Sequence, residues 1–158
     1  MSLVDEALAI SRSLAVELSP SVLVDGLARA LGWLWSSWFM DKYHLGVKVA
    51  LNSAIDTEEE VMRHLVFLTV KELLSNVVKH SSAKEAFVEL TVDDSGKLRA
   101  TVRDGGQGFD PRKLGTVLDT GSGFGLNSLN NRLLFLKGSL DILSRPGHGV
   151  EATMKLTQ

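Results

Sequence analysis

Cysteine is absent from the 158 residues, which excludes disulfides, thiolate catalysis and cysteine-rich metal sites. Its absence fits a reducing cytoplasm. An excess of charge of either sign is also missing: 17 Lys and Arg stand against 19 Asp and Glu, a formal net charge of -2. That balance gives no general attraction to nucleic acid or anionic membranes, so any phosphate binding has to be local. The start, MSLVDEALAI, has neither the basic leader nor the apolar run of a secretory signal. The most apolar stretch, Leu31 to Met40, is about half the ~20 residues that a membrane span needs, and Asp25 and Arg29 interrupt it upstream. Internal repeats and low-complexity tracts are lacking too. What remains is an ordinary soluble composition, 44% hydrophobic and 23% charged, in a chain long enough for one domain with a sizeable core.

Periodicity predicts helices first and paired strands later. Val4 to Leu18 is expected to be helical, with Ser19 and Pro20 suited to the N-cap and first position of a second helix reaching about Met40. Val24, Leu27, Leu31, Leu34 and Trp38 fall at spacings of three and four, one helical face. Gly46 opens a short alternating strand through Val47, Val49 and Leu51. Thr57 followed by Glu60 forms a capping box, and Glu58 and Glu59 suit the positive end of a helix expected to run to about His80. Ala86 to Val92 alternates as a strand, Asp94-Ser95-Gly96 is a hairpin turn, and Leu98, Ala100 and Val102 return. Residues 104 to 125 are rich in glycine and show little periodicity. A further helix from about Leu126 to Lys137 stops at Gly138. Strands Ser139 to Leu143 and Val150 to Leu156 then flank the hairpin Pro146 to Gly149. This order predicts an α+β fold with helices on one face of a mixed or antiparallel sheet.

Three clusters carry candidate chemistry. The first is Glu72, Asn76, Lys79 and His80, within KELLSNVVKHSSA, on adjoining parts of one helical surface. A carboxylate, an amide, an ammonium and an imidazole together suit a hydrated Mg²⁺ and a polyphosphate. Alone, the cluster fits a solvated helix face with basic residues at its end more readily. The second is Asp104-Gly105-Gly106-Gln107-Gly108-Phe109, directly after a strand. Its carboxylate can accept a hydrogen bond from an exocyclic amine, and its glycines permit close approach and hinging. It is equally a loop that needs positive φ. The third, Gly121 to Leu126, opens a helix whose N-terminus can face an anion. Alone it serves as well as a linker. It is not a P-loop, because no Gly-Lys-Ser/Thr follows, and no βαβ unit surrounds it.

In order and spacing the three clusters together resemble the N, G1 and G2 boxes of the GHKL ATPase superfamily, which includes gyrase, Hsp90, MutL and the histidine kinases. The N box spans Glu72 to His80, the G1 box Asp104 to Phe109 and the G2 box Gly121 to Leu126; the resemblance covers about Pro20 to Leu156. A short segment between G1 and G2 looks like the histidine kinases. SPSVLVDGLARAL, NVVKHSSA, DGGQGFD and GLNSLNNRL resemble the sensor kinases paired with helix-turn-helix response regulators. The implied fold is a two-layer α/β sandwich of the GHKL, or Bergerat, type with a mostly antiparallel sheet. Residues 20–158 would be the ATP-binding catalytic domain, and residues 1–19 the remnant of a dimerisation and phosphoacceptor helix.

The resemblance implies ATP and Mg²⁺ as the bound groups. Asp104 would accept the adenine amine. Asn76 would coordinate Mg²⁺, with Glu72 nearby as a supporting or base-like group. Lys79 would contact phosphate and His80 would lie beside the nucleotide. Gly106 and Gly108 would hinge a lid, and Gly121, Gly123, Gly125 and Leu126 would meet the phosphates. Phe109 and Arg132 fit the pattern as packing and support.

Two departures stand against the family pattern. The family's usual Gly-Thr in the last hairpin is Gly149-Val150 here, so a hydroxyl near the base would have to come from Thr153 or from water. None of His44, His64, His80 and His148 lies in the Glu-Leu-His-Asp-like string of a phosphoacceptor, so the natural protein is expected to be longer.

The implied reaction is transfer of the γ-phosphoryl group of ATP to a histidine on a separate dimerisation domain, upstream of a response regulator. An anti-sigma-factor-type serine kinase of the same superfamily, or a nucleotide-dependent binding module without transfer, are the rivals. The fragment is expected to be cytoplasmic, with no membrane span in this chain, and mainly monomeric, self-associating weakly through Trp33 or Trp35, which fall off the Val24–Trp38 stripe. The lid, roughly Pro111 to Ser122, is expected to be mobile without nucleotide.

Overall fold

Alternation along the chain becomes a five-stranded sheet in the computed structural model, which describes residues 21–52, 59–113 and 124–157. The strands are β1 (Gly46–Leu51), β2 (Glu85–Val92), β3 (Lys97–Asp104), β4 (Ser139–Ser144) and β5 (Val150–Thr157). They lie in the order β1-β2-β3-β5-β4. Only β1 and β2 run parallel; the other neighbours are antiparallel. The β2–β3 turn is pinned by Asp93, whose Oδ1 accepts from the backbone N–H groups of Ser95 and Lys97.

Register assigns the two faces of the sheet. Val88 stands opposite Val102, Val102 opposite Ala152, and Ala152 opposite Ile142, so one face is a continuous apolar floor. The other parity carries charge: Lys48–Glu85, Arg103–Glu151 and Lys155–Asp141 pair across strands at 3.2, 3.9 and 2.7 Å. These pairs are well exposed and add little, roughly 0–1 kcal/mol each. They keep that face wetted.

Among the described residues, three helices cover the apolar face. The first, α1, runs over 27–43 as an α-helical segment (Leu27–Trp33), a π-helical segment (Leu34–Met40) and a last turn (Asp41–Tyr43). The second, α2, comprises Glu60–Asn76 and a π-helical end at Val77–Ser81. The third, α3, is Phe124–Phe135. Leu27, Leu31, Leu34, Phe39, Phe67, Leu74, Leu133 and Met154 are fully buried in the shared core. Each such side chain contributes about 1.5–3 kcal/mol on burial.

The expected α1 stripe holds only in its middle. Gly26, at φ 105, separates the helix from a 3₁₀ turn at Ser21–Asp25, and Val24 on that turn is 84% exposed. At the other end a π-helix bonds i to i+5, so the inward successor of Leu34 is Phe39 and not Trp38. Trp33 and Trp35, expected to fall off the stripe and be open to self-association, are half-buried against the core. The α2 helix starts at Glu60 with Glu59 in the N-cap position and no side-chain cap bond; Thr57 lies outside the described residues. The expected helix at Val4 to Leu18, the Ser19-Pro20 start and most of the proposed lid lie outside them as well. Among the described residues no helix is long and apolar enough to cross a membrane.

Candidate functional site

The end of α2 and the start of the loop after β3 are fitted against each other. At the end of α2 the last carbonyls lack intrahelical partners. Gln107 supplies them from 26 residues away: its backbone N–H donates to the Ser81 carbonyl at 3.0 Å, and its side-chain amide donates to the His80 carbonyl. Ser82, at φ 58, turns the chain out of the helix. Gly106 makes the approach possible, since a Cβ there would stand 2.1 Å from the Ser81 carbonyl oxygen. The first and second sequence clusters are thereby joined.

Asp104 ends β3 on the apolar, helix-covered face, in one cross-strand row with Ala86 and Val150. It is buried, at 9% exposure. Its Oδ1 accepts the Gly106 N–H at 2.8 Å, and among the described residues it makes no ion pair. A buried carboxylate is costly unless hydrogen-bonded, so this one is suited to a further donor. Asn76 closes the α-helical part of α2; its Nδ2 is buried without a hydrogen-bond partner among the described residues. Glu72 is half-buried one turn earlier, while Lys79 and His80 are exposed on the π-helical end. The π geometry shifts those last two relative to Asn76, so the four do not form the simple helical stripe that spacing implies.

The β4–β5 hairpin closes the other side of the loop. The Gly147 N–H donates to the Gln107 carbonyl at 2.7 Å. Gly108, at φ 59, and Gly149, at φ 74, are points of backbone contact: a Cβ would come within 2.2 Å of the Arg145 carbonyl oxygen and 1.9 Å of the Asp104 carbonyl oxygen, respectively. Gly106 and Gly108 therefore permit close packing at the positions where the sequence suggested hinges. Ser144 accepts the Phe109 N–H and donates to the Gly149 carbonyl, each at 2.9 Å.

Thr153 cannot replace the hydroxyl missing at Val150. It lies three residues on, hence on the opposite face of the sheet, where its hydroxyl meets that of Thr101 at 3.1 Å.

Of the third cluster, Gly121 and Gly123 lie outside the described residues. Gly125 falls in the first turn of α3, and Leu126 packs against the core. Beyond Phe109, Asp110 grips Arg112: the guanidinium approaches to 2.8 Å and the Arg112 N–H to 3.0 Å. The Arg112 side chain first, and its backbone N–H second, hold the Asp110 carboxyl below its ordinary range, and the pairing raises Arg112.

The sequence and the fold have counterparts in known proteins. Residues 63–158 match the model of the family described as histidine kinase-, DNA gyrase B-, and HSP90-like ATPases. The chain belongs to this family. It is 33% identical over 134 residues to the sensor histidine kinase MctS of Rhizobium johnstonii, covering 84% of this chain and 28% of that protein. It is 36% identical over 91 residues to the sensor histidine kinase LiaS of Bacillus subtilis, covering 58% and 24%. The chain thus spans about a quarter of the length of these curated relatives.

Solved structures agree on the fold. The histidine kinase domain of the Erythrobacter litoralis blue-light activated kinase superposes with a TM-score of 0.64 at 21% identity, over 83% of this chain and 60% of that one. The Acinetobacter baumannii histidine kinase AdeS superposes at 0.65 and 15% identity, over 98% and 79%. The chain is a GHKL-type domain of this family, similar to those of the histidine kinases, and the α+β sandwich with helices on one face is as the sequence predicts.

Ser81, Gln107, Ser144 and Gly149 were not singled out as site residues. Gln107 and Gly149 sit within recognised strings, but their contacts depend on parts of the chain far away in sequence. No local pattern signals them.

Proposed function

We propose that this domain binds Mg-ATP and passes the γ-phosphoryl group to a histidine on a dimerisation domain outside the chain. The reading rests on the join between the loop of Asp104 and the end of α2, made by the Gln107 N–H on the Ser81 carbonyl at 3.0 Å. That join brings the end of the Asp104 strand and the end of α2 to a common edge, which supports reading Asp104 and Asn76 as parts of one site.

The residues fit the groups they would hold. The buried Asp104 carboxylate accepts the exocyclic amine of adenine. The unpartnered Asn76 amide suits a polar ligand, with its oxygen toward the metal, and half-buried Glu72 supports it as a base-like group. No set of three or more His, Asp or Glu side chains converges among the described residues; Mg²⁺, which keeps water and takes phosphate oxygens, needs no such set. When bound, Mg²⁺ neutralises charge on the phosphates. Lys79 adds positive charge for phosphate, His80 flanks the nucleotide, and Gly121, Gly123, Gly125 and Leu126 would meet the phosphates.

In the transfer the bond from the γ-phosphorus to the β–γ bridging oxygen breaks, ADP departs, and a phosphorus–nitrogen bond forms to an imidazole that gives up its proton. The protein's part is positioning and charge neutralisation. The partners are then the phosphoacceptor domain of the parent protein and a downstream response regulator, and the setting is cytoplasmic.

Incubation of the chain with radiolabelled ATP tests this. The four histidines are all built into the domain: His64 within α2, His80 at its end, His148 in the β4–β5 turn and His44 ending α1. None is expected to take label. A supplied dimerisation domain from a related sensor kinase is expected to take acid-labile, base-stable label. Stoichiometric labelling of one of the chain's own histidines would overturn this account of the acceptor.

A further inference from the structure

Val150 leaves the Asp104 row of the sheet without the family's threonine hydroxyl, yet the row does hold one. Register continues from Asp104 to Val150 and on to Ser144, so Ser144 lies two strands from Asp104 on the same face. Its hydroxyl has one proton to give and lone pairs to accept with. Both capacities are used: it donates to the Gly149 carbonyl and accepts the Phe109 N–H, each at 2.9 Å.

These two partners lie at the two ends of the loop 104–109. Gly149 abuts the Asp104 carbonyl so closely that a Cβ would be 1.9 Å away. Phe109 is where the loop leaves the site toward the Asp110–Arg112 clasp. Between the ends, the Gly147 N–H on the Gln107 carbonyl at 2.7 Å ties the middle of the loop to the same hairpin.

We propose that Ser144 is a positioning residue for adenine recognition, its hydroxyl tying the Phe109 end of the loop that carries Asp104 to Gly149, the hairpin residue packed against the Asp104 end. This rests on the reading of Asp104 as the acceptor of the adenine amine. The Ser144 hydroxyl holds the loop, and the loop's Gly106 N–H holds the Asp104 carboxylate, so Ser144 acts without itself touching the base.

ATP and ITP separate this role from general support of the fold. ITP has a carbonyl where ATP has the exocyclic amine, so it lacks the donor that Asp104 is read as accepting and depends less on how that carboxylate is aimed. With the 158-residue chain, calorimetry should show that Ser144→Ala weakens ATP binding about three- to tenfold, the range of one or two neutral hydrogen bonds. ITP binding should fall by less, so the preference for ATP narrows. Ser144→Thr, which keeps the hydroxyl, should retain both the affinity and the preference.

A parent chain that binds ATP together with a Ser144→Ala variant of unchanged affinity and preference would overturn the proposal alone. So would an equal loss toward ATP and ITP. Should Ser144→Ala not fold, amide exchange in the parent decides: a slow Phe109 N–H supports the clamp, and exchange at the rate of an open loop overturns it. A parent chain that binds no ATP removes the adenine reading itself, and the proposal with it.

Discussion

Gly106 and its neighbour Gly105 separate close packing from mere loop flexibility. A Cβ at position 106 would meet Ser81 backbone atoms at 2.1 and 2.7 Å, whereas one at 105 has nothing within 4 Å. Neither glycine has positive φ. Gly106→Ala must push the loop off α2, with a loss of about 1–3 kcal/mol as in other overpacked sites, while Gly105→Ala should remain close to the parent in thermal unfolding. Comparable losses at both would show that flexibility, not contact, sets the requirement. Asp110 offers a second residue-level check. Its folded pKa is depressed by Arg112, so its contribution is present above the ordinary aspartate value, about 3.9, and is lost as pH falls through the lower folded value. Carboxyl NMR should place the Asp110 midpoint below that ordinary value, and Arg112→Ala should move it upward. At this scale Asp104 was legible, because a carboxylate ending a strand before glycines is a local pattern. Ser144 was not legible, because its partners become neighbours only when β4 and β5 take their register.

Among the elements, α1 marks where helical periodicity stops being a guide. Leu27, Leu31 and Leu34 are buried as their spacing predicts, but Phe39 replaces Trp38 as the next inward side chain because the helix widens into π geometry at Leu34–Met40. Phe39→Ala should therefore cost about 3–5 kcal/mol in urea unfolding, the range for a buried aromatic, and Trp38→Ala distinctly less. The reverse order would restore the regular α-helical stripe. The strands were legible almost to the residue, since period-2 alternation on a half-covered sheet leaves little ambiguity. The π segments were not, because a π turn arises from packing and has no compositional signature in this chain. The same widening at Val77–Ser81 turns Lys79 and His80 away from the stripe that their spacing from Asn76 suggests, while presenting the carbonyls that Gln107 caps.

At the scale of the whole molecule, one charged, solvent-facing sheet surface and one apolar surface under three helices leave the site at the edge where α2, the loop after β3 and the β4–β5 hairpin meet. Fold and family were legible because three weak patterns stand in a fixed order along one chain; each alone had an ordinary structural explanation. The claim that organises all of these features is that Asp104 receives the adenine of ATP. Calorimetric titration of ATP with Mg²⁺ into the parent chain and into Asp104→Asn tests it most directly. Asparagine keeps the shape but loses the charged acceptor, and a hydrogen bond to a charged group is worth roughly 1.5–3 kcal/mol. The parent should bind, and Asp104→Asn should bind at least about tenfold more weakly; equal affinities would contradict the account.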